Sequence, residues 1–248
     1  MTMSELRAVI LAGGMGKRLA PYTFVIPKPI VPIGTTPILE IVLRQLAHHG
    51  FRRVSLALGH MSEIIRALAG DGSRFGIDLD YSDEPKPLGT MGPLKRIPDL
   101  PENFLVMNAD LLTDLDFRDL FEYHRRDGAA ATVATYVKTT RLELGVLKTD
   151  PEERIVAFEE KPVLRHKVSM GVYVFHRSVL ELVPPDTYFG FDHLMDALLR
   201  RGERILSYPF EGNWLDIGIP ADYEKAQEEF ERNPERYVPG SRDRERER

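Results

Sequence analysis

The sequence predicts an α/β protein with a Rossmann-like, mixed and mostly parallel sheet that is flanked by helices and carries an inserted β-rich lobe. Three observations predict this class. In the first half of the chain, short apolar runs typical of buried strands alternate with amphipathic helical stretches. The second half is richer in strand-like runs. A glycine-rich turn directly follows the first strand, where open parallel sheets bind their ligands.

In the first half, the alternating order predicts parallel strands joined by right-handed crossovers. Its longest helical stretch carries Leu39, Val42 and Leu46 on one face, as expected of a helix that packs on a sheet. The predicted strands are Leu6–Leu11, Val54–Leu58, Ile77–Tyr81 and Phe104–Met107. The predicted helices are Ile38–His49, Met61–Ala69, Met91–Ile97 and Leu115–Arg125.

The second half is interpreted as a lobe continuous with the first half rather than an independent domain. Its predicted strands are Ala131–Val137, Val146–Lys148, Ile155–Glu159, Val172–Phe175 and Ile205–Tyr208, and its predicted helices are Phe191–Leu199 and Ala221–Glu231. The chain is therefore expected to form one domain over residues 1–235, with halves at about 1–128 and 129–235. Residues 236–248 end in alternating charges without apolar side chains, which predicts a solvated, flexible tail.

Composition excludes several classes of function. A net charge of −5 over 248 residues gives no general attraction to nucleic acid or to an anionic membrane. The absence of cysteine excludes disulfides, thiolate metal sites and cysteine nucleophiles. The sequence contains neither an apolar signal core at its start nor a run of 18 apolar residues. These features predict a cytoplasmic protein.

The most informative segment is LAGGMGKRL, residues 11–19, which follows the first strand. Its glycines allow a tight turn with bare N–H groups, and nearby cations would attract a phosphate-bearing ligand. The segment fails the Walker pattern at Arg18 and the dinucleotide pattern at Leu19. A plain glycine-rich turn remains the alternative. The candidate nucleotide-binding residues here are Leu11, Ala12, Gly13, Gly14, Gly16 and Lys17.

Six sequence blocks occur in a recognisable order: GGMGKRL, PKPIVP, PLGTMG, NAD, EEKP and WLDIG. In this order they resemble the sugar-1-phosphate nucleotidylyltransferases, particularly the short, single-domain type similar to mannose-1-phosphate guanylyltransferases. The resemblance covers roughly residues 7–230. It implies transfer of a nucleoside monophosphate from an NTP to a sugar-1-phosphate with release of pyrophosphate, and it identifies the inserted lobe as sugar-binding.

The resemblance assigns the catalytic and metal-binding residues. Asp110, which follows a strand directly, and Asp216, an acid among apolar neighbours, are expected to hold one Mg²⁺ that bridges the phosphates. Arg18 and Lys28 are expected to clamp the phosphates together with Asp110 as the catalytic set. Lys28 lies between two prolines that stiffen its segment. For Lys17, contact with phosphate and exposure to water are equally compatible with the sequence.

A second group of residues is expected to bind the sugar phosphate. Glu160 would accept hydrogen bonds from two sugar hydroxyls while Lys161 holds the phosphate, although a plain exposed ion pair is the alternative. Gly145 and Gly171 would permit close approach of the backbone to a sugar ring, although turn glycines are the alternative. Ser169 stands where many family members have Asn, so the resemblance leaves the sugar open.

The resemblance places the base pocket around Glu84, Gly89 and Thr90, and Asn108 is a further candidate nucleotide-binding residue. A carboxylate can accept from guanine N1–H and its exocyclic amine, or from the single N3–H of uracil or thymine. The chemistry favours guanine without excluding the others. Met91 stands where the family usually has a small residue, which predicts a changed pocket shape.

The sequence therefore predicts a Mg²⁺-dependent hexose-1-phosphate guanylyltransferase with GTP and a sugar-1-phosphate as its partners. The alternatives are a uridylyl-, thymidylyl- or cytidylyltransferase of the same family, and a non-catalytic regulatory subunit that binds an NDP-sugar. A homo-oligomer is compatible with the sequence. The seven histidines form no metal-binding spacing.

Overall fold

A computed structural model of the chain describes residues 6–238. Its strands are β1 (Arg7–Ala12), β2 (Pro32–Ile33), β3 (Thr36–Pro37), β4 (Arg53–Leu58), β5 (Asp78–Asp83), β6 (Asn103–Asn108), β7 (Leu111–Thr113), β8 (Ala131–Arg141), β9 (Val146–Thr149), β10 (Ile155–Glu159), β11 (Val163–His176), β12 (Ile205–Phe210) and β13 (Trp214–Asp216). Its α-helices are α1 (Ile38–His48), α2 (Ser62–Ala69), α3 (Phe117–Asp127), α4 (Phe191–Arg200), α5 (Pro220–Arg232) and α6 (Pro234–Tyr237).

The fold is organised around a seven-stranded sheet in the order β12-β8-β11-β6-β1-β4-β5. Within this sheet only β11 runs antiparallel to its neighbours, β6 and β8, and every other pairing is parallel. The prediction of a mixed, mostly parallel α/β sheet is therefore confirmed. The strands β6, β1, β4 and β5 are consecutive and parallel, so their carboxyl ends meet at one edge.

Both faces of the sheet are buried, as the short apolar runs predicted. Along β1 the side chains alternate: Ala8, Ile10 and Ala12 pack with α1, α2 and α3, whereas Val9 packs on the opposite face with residues of α4. A third apolar cluster lies around α5 and the loops before α1 and includes Leu19 and Phe230. The glycine-rich segment is therefore anchored to the core at Leu19, directly after its exposed residues.

The structure extends the predicted elements mainly in the second half of the chain. Strand β11 begins nine residues before the predicted Val172, and β8 continues four residues beyond the predicted Val137. These extensions are mostly exposed and lack a regular alternation of apolar and polar residues, so hydrophobic periodicity could not reveal them. The short strands β7 and β13, which pair with each other, were also missed because three residues carry no periodic signal.

The structured chain also reaches further than the predicted boundary at residue 235. Tyr237 is fully buried in α6, and its ring stacks on Phe230 with centroids 6.2 Å apart. An aromatic side chain thus holds the first residues of the predicted tail against the domain. Residues 239–248, the rest of that tail, lie outside the described residues. Among residues 6–238, no helix has the length and apolar character needed to cross a membrane.

One buried ionisable group links stability to pH. His124 of α3 is fully buried, with Nδ1 2.8 Å from the Thr132 hydroxyl and Nε2 3.0 Å from the Asn103 side-chain oxygen. Burial, assisted by the nearby charge of His176, lowers the pKa of His124 to about 4. The folded protein therefore holds this imidazole neutral at pH values where an unfolded chain would protonate it.

We expect acidification to destabilise the protein through His124. Because its pKa is lowered on folding, its stabilising contribution is present above about pH 6.5 and is lost as the pH falls toward 4. Between pH 7.5 and pH 5 this single group should lower the free energy of unfolding by roughly 2 kcal/mol. Urea unfolding of the wild type and of His124→Gln, which does not titrate, measures the difference. The exposed His48→Gln is the control, and equal pH dependence in all three proteins would contradict the assignment.

Candidate active site

The carboxyl ends of β1, β4, β5 and β6 surround a cavity of about 740 Å³. The loop after each strand contributes to its wall, as open parallel sheets predict. Because neighbouring strands lie about 4.8 Å apart, the three steps from β6 to β5 span about 14 Å. The predicted residues that line the cavity are Gly13, Gly14, Gly16, Lys17, Arg18, Lys28, Glu84 and Asp110. Two predicted residues at the end of β1, Leu11 and Ala12, lie beneath it, with Ala12 in the core.

The glycine-rich loop is shaped by two kinds of contact. Gly16 has a φ of 63°, and a Cβ there would lie 2.9 Å from the Thr23 side chain and 3.0 Å from Lys28. The Thr23 hydroxyl also donates a hydrogen bond to the Gly16 carbonyl, at 2.9 Å. By contrast, a Cβ at Gly14 would meet no protein atom within 4 Å. The loop therefore folds back on the Lys28 segment while Gly14 faces open space.

Lys28 and Asp110 form a largely buried ion pair in the cavity wall. Lys28 is 9% exposed, and its ammonium donates to Oδ2 of Asp110. The other carboxylate oxygen of Asp110, Oδ1, is buried and has no hydrogen-bond partner among residues 6–238. An unpartnered buried carboxylate oxygen is costly unless a ligand supplies positive charge. The unpartnered oxygen of Asp110 can therefore bind a cation, and the positive charge of Lys28 can attract an anion.

A short ladder brings Asp216 to Asp110 from more than one hundred residues away. The strand β13 runs antiparallel to β7, with Asp216 opposite Leu111. The Ile217 N–H continues the ladder by donating to the Asp110 carbonyl at 3.0 Å. A Cβ at Gly218 would lie 3.6 Å from Oδ2 of Asp216 and 3.7 Å from a guanidinium nitrogen of Arg18. The predicted metal and catalytic residues are therefore close together.

The charges around Asp216 fit a divalent cation. Burial first, and then the negative charge of Asp110, raise the pKa of Asp216, whereas Lys28 and Arg18 lower it. A cation between the two carboxylates would remove their repulsion and would satisfy Oδ1 of Asp110. Mg²⁺ accepts such a site, because it binds one or two carboxylates and completes its shell with water and phosphate oxygens. No cluster of three or more His, Asp or Glu ligands occurs among residues 6–238.

The opposite end of the cavity is built by three closely packed strand ends. A Cβ at Gly13 would lie 2.5 Å from Oε1 of Glu84, and a Cβ at Gly59 would lie 2.7 Å from the Gly13 carbonyl. Oε2 of Glu84 accepts a hydrogen bond from the Leu88 N–H at 2.9 Å. Burial raises the pKa of Glu84, and this hydrogen bond opposes the rise. Gly13 is therefore needed for the packing of Glu84 as well as for its bare N–H.

Other residues predicted for the base pocket do not line this cavity. Gly89 has a φ of 78°, and a Cβ there would collide with the Phe189 carbonyl at 2.8 Å. The Thr90 hydroxyl accepts from the Phe191 N–H at 2.8 Å, so it holds the start of α4. Met91 is fully buried in the core beneath the sheet, so it does not shape the cavity directly.

The predicted sugar-phosphate residues form two groups outside the cavity lining. Gly145 packs against Phe158 and Glu160, since a Cβ would lie 2.5 Å from the Phe158 ring and 3.1 Å from a Glu160 oxygen. Lys161 has a positive φ of 46° and pairs with Glu143 at 3.7 Å.

The second group adjoins Asp110. Gly171 lies at a register shift in β11, and a Cβ there would be 2.6 Å from the amide nitrogen of Asn108. The Ser169 hydroxyl accepts from the Gly171 N–H and donates to the Tyr173 hydroxyl, both at 3.3 Å. The charges of Asp110 and Asp216 act on Tyr173, whose pKa is raised mainly by burial. Ser169, Gly171 and Asn108 therefore lie next to the candidate metal residues.

The sequence reasoning missed several cavity residues, which are Met15, Gly59, His60, Pro85, Lys86, Pro87 and Gly218. Lys86 lies two residues beyond Glu84, and its ammonium, like that of Lys17, makes no hydrogen bond or ion pair within the part of the chain that the structure describes. The rule that ligands bind where parallel strands end would have found Gly59 and His60, which follow β4.

Comparison with known proteins consistently finds nucleotidyl transferases. The family model described as Nucleotidyl transferase matches residues 7–233. A UTP–glucose-1-phosphate uridylyltransferase of Synechocystis sp. is 34% identical over 243 residues. The alignment covers 89% of this chain and 62% of the uridylyltransferase. The mannose-1-phosphate guanylyltransferase catalytic subunit beta of Drosophila pseudoobscura pseudoobscura is 34% identical over 224 residues, covering 88% of this chain and 60% of its own. The chain therefore spans about three fifths of the length of these relatives.

Solved structures share the fold. HddC from Yersinia pseudotuberculosis superposes with a TM-score of 0.71 at 27% identity, covering 91% of this chain and 99% of that chain. A second structure of HddC, in complex with GMP-PN, superposes with a TM-score of 0.69 over the same shares of the two chains.

We expect Mg²⁺ to stabilise the protein through Asp110 and Asp216. Titration with Mg²⁺ alone should raise the Tm of the wild type, and the effect should grow as rising pH deprotonates Asp216, whose pKa is raised. In Asp110→Asn and Asp216→Asn the Mg²⁺-dependent rise should be lost, because each removes one of two carboxylates. Differential scanning calorimetry at several pH values measures the Tm of each protein with and without Mg²⁺.

The matched control is Asp83→Asn, because Asp83 is a carboxylate at the same edge of the sheet that already pairs with Arg66 at 2.5 Å. This variant should respond to Mg²⁺ like the wild type. An unchanged response in Asp110→Asn and Asp216→Asn would contradict the metal site.

Proposed function

This chain belongs to the nucleotidyl transferase family, and we propose that it transfers a guanylyl group from GTP to a hexose-1-phosphate, forming a GDP-sugar and releasing pyrophosphate. The observation that carries the proposal is the division of the cavity. One end holds Arg18 and Lys28, which suit phosphates, and the unpartnered oxygen of Asp110, which suits a cation. The other end, three strands away, holds Glu84 and Lys86, which suit a base.

The proposed reaction needs positioning and charge neutralisation rather than a protein nucleophile. An oxygen of the sugar phosphate attacks the α-phosphorus of GTP, and the bond from that phosphorus to the bridging oxygen of pyrophosphate breaks. Arg18 offers a planar fork and Lys28 a point charge to the phosphate oxygens, where negative charge grows as pyrophosphate leaves. Because Lys28 is held by Asp110 and by its neighbouring prolines, its charge is aligned before the substrate binds.

Members of this family generally use a divalent metal ion, and we assign Mg²⁺ to Asp110 and Asp216. When bound, the ion would neutralise phosphate charge and orient the phosphate chain. Each of the two carboxylates also acts on a neighbouring cation of the protein. Asp110 accepts a hydrogen bond from the ammonium of Lys28 and so orients it, and the charge of Arg18 lowers the pKa of Asp216, so the second carboxylate attracts the second cation.

The residues at the far end support guanine as the base. Oε1 of Glu84 makes no hydrogen bond within residues 6–238, so it is free to accept from guanine N1–H or the exocyclic amine. Lys86 is an unpaired cation beside it and can donate to guanine O6 or N7, which is a recurrent pairing of lysine with guanine. A structural relative in complex with GMP-PN and a guanylyltransferase relative add support.

A uridylyltransferase is the second candidate, and the relative from Synechocystis sp. favours it. Uracil offers Glu84 one N–H donor, whereas guanine offers two. A regulatory subunit that binds an NDP-sugar without turnover is disfavoured by the unpartnered oxygen of Asp110 and the unpaired cation Lys17, which such binding would not require. A cytoplasmic location is part of the proposal, since the sequence contains no cysteine. Pyrophosphate release from each NTP with each sugar-1-phosphate tests the proposed function.

Arg18→Ala should lower kcat more than it raises KM for the NTP. The guanidinium should act mainly on charge that develops in the transition state, and loss of such a contact typically costs about 10²–10³-fold in kcat. Steady-state pyrophosphate release measures both constants. Lys17→Ala is the matched control, because Lys17 is the neighbouring cation in the same cavity and should affect kcat less. An Arg18→Ala enzyme with unchanged kcat and raised KM would show that Arg18 binds only the ground state.

Glu84→Gln and Lys86→Met should each lower the ratio of kcat/KM for GTP to kcat/KM for the other NTPs. Glutamine presents one acceptor and one opposing donor to the guanine edge, and methionine cannot donate to O6 or N7. We expect kcat/KM for GTP to fall about 10-fold or more, which is the effect of one lost hydrogen-bonded contact, with smaller losses for UTP and dTTP. The measurement is kcat/KM for GTP, ATP, CTP, UTP and dTTP in each protein. Lys17→Met, which should weaken all NTPs alike, is the control, and an unchanged preference in both variants would refute this base recognition.

A further inference from the structure

A second aspartate lies at the other end of the β7–β13 ladder. The ladder has three residue pairs and joins distant parts of the chain. Asp216 is at one end, opposite Leu111, whereas Asp114 directly follows the other end. Two strands that pair only with each other are marginally stable in water, and closing so long a loop costs conformational entropy. The position of Asp216 therefore depends on the contacts that hold this ladder at both ends.

Asp114 binds the start of β13 through its side chain as well as its backbone. Its Oδ1 accepts a hydrogen bond from the Asn213 N–H at 2.7 Å, and its Oδ2 accepts one from the Asn213 side-chain amide at 3.3 Å. The Asp114 N–H in turn donates to the Asn213 carbonyl at 3.2 Å. A Cβ at Gly212 would lie 2.5 Å from Oδ1 of Asp114, so glycine leaves room for this carboxylate. These hydrogen bonds extend the ladder by one residue pair and fix its register.

Arg236 of α6 contacts the same carboxylate. Its Nε lies 3.5 Å from Oδ2 of Asp114, and its Nη1 lies 3.5 Å from Oε1 of Glu229 on α5. Because the Asp114 side chain is only 23% exposed, solvent screens this contact less than it screens a fully exposed ion pair. The helix α6 is itself anchored by the buried Tyr237, whose hydroxyl donates to Glu229 at 3.2 Å. An anchored helix therefore presents the guanidinium to Asp114.

We propose that Asp114 and Arg236 are positioning residues for the candidate metal site. They hold the β7–β13 ladder in register, and the ladder holds Asp216 beside Asp110. Neither positioning residue lines the cavity, so both act on the site through the backbone of the ladder. The inference rests on the proposed function, which assigns Mg²⁺ to Asp110 and Asp216.

The spacing of the two metal-site carboxylates needs such support. Like charges repel, so the ladder must hold Asp216 near Asp110 until a cation binds between them. Mg²⁺ demands near-ideal coordination geometry, so a small displacement of one carboxylate weakens its binding. Groups that orient metal ligands from outside the site typically contribute roughly 10–100-fold to metal affinity. Loss of Asp114 should therefore weaken Mg²⁺ binding although both carboxylates remain.

The rise of Tm with Mg²⁺ concentration, measured by calorimetry on the full chain, gives an apparent Kd that tests the inference. Asp114→Ala should raise this Kd about 10-fold. Asp114→Asn should raise it less, because the amide keeps one acceptor oxygen for the Asn213 N–H. Arg236→Met, which keeps an apolar stem and removes the charge, should raise it several-fold. A purely structural role would lower the Tm of the variants and leave the Kd unchanged, and that result would overturn the proposal.

The matched control is Asp127→Ala. Asp127 ends α3 and pairs at 2.7 Å with Arg204, which directly precedes β12, so this ion pair also links two elements. Its loss removes one carboxylate and one ion pair outside both the cavity lining and the ladder. The control should keep the wild-type Kd for Mg²⁺ even where its Tm is lower. If Asp127→Ala weakened Mg²⁺ binding as much as Asp114→Ala, general destabilisation would explain the effect and the proposal would be overturned.

Hydrogen exchange of the full chain in the presence of a chelator separates this inference from the metal assignment. The Ile217 N–H, which donates to the Asp110 carbonyl at 3.0 Å, lies at the end of the ladder remote from Asp114. Relative to amides of α4, it should exchange at least several-fold faster in Asp114→Ala and Arg236→Met than in the wild type and the control. Equal exchange in all four proteins would overturn the proposal, whether or not Mg²⁺ binds. A wild type that does not respond to Mg²⁺ would instead contradict the metal assignment, and faster exchange would still support the positioning of Asp216.

Discussion

The convergence of four parallel strand ends is the constraint on which this structure depends. Burial of both sheet faces fixes β6, β1, β4 and β5 side by side, and their backbones must therefore stop at one edge. The polar residues that directly follow these strands therefore lie close together. The sheet, rather than the stability of the individual loops, determines where they lie. The cost of collecting charge there is limited, because Lys17 and Arg18 remain exposed and the buried Lys28 is paired with Asp110.

The ion pair of Lys28 and Asp110 shows how this edge is made rigid. The ammonium reaches the carboxylate from a segment stiffened by two prolines, and Gly16 packs on the same lysine. The β7–β13 ladder then adds Asp216 from the far end of the chain. Three separate parts of the sequence thus meet through one buried lysine and one three-residue ladder.

Much of the fold could be predicted from the sequence, whereas the site could be predicted only in part. The strand before Gly13 and the helix after Pro37 have clear periodicity, because burial on both sheet faces leaves a strong apolar pattern. Periodicity says nothing about polar extensions such as the ends of β8 and β11, or about the three-residue β13. The proximity of Asp110 and Asp216 depends on that strand, so it followed from resemblance rather than from pattern. Lys86 lies between two prolines as Lys28 does, a signal that the sequence reasoning applied to Lys28 alone.

The packing of Gly13, Gly59 and Glu84 restricts how this sequence can drift. A methyl group at position 13 would displace the end of the Glu84 side chain, and one at position 59 requires the backbone at 13 to move. The collision at position 13 can be relieved by rotation of the Glu84 side chain, whereas the collision at position 59 is with backbone atoms, so Gly59 is the more restrictive of the two. Loss of the carboxylate at 84 would relax the steric demand on Gly13 but would leave the demand for its bare N–H in the turn.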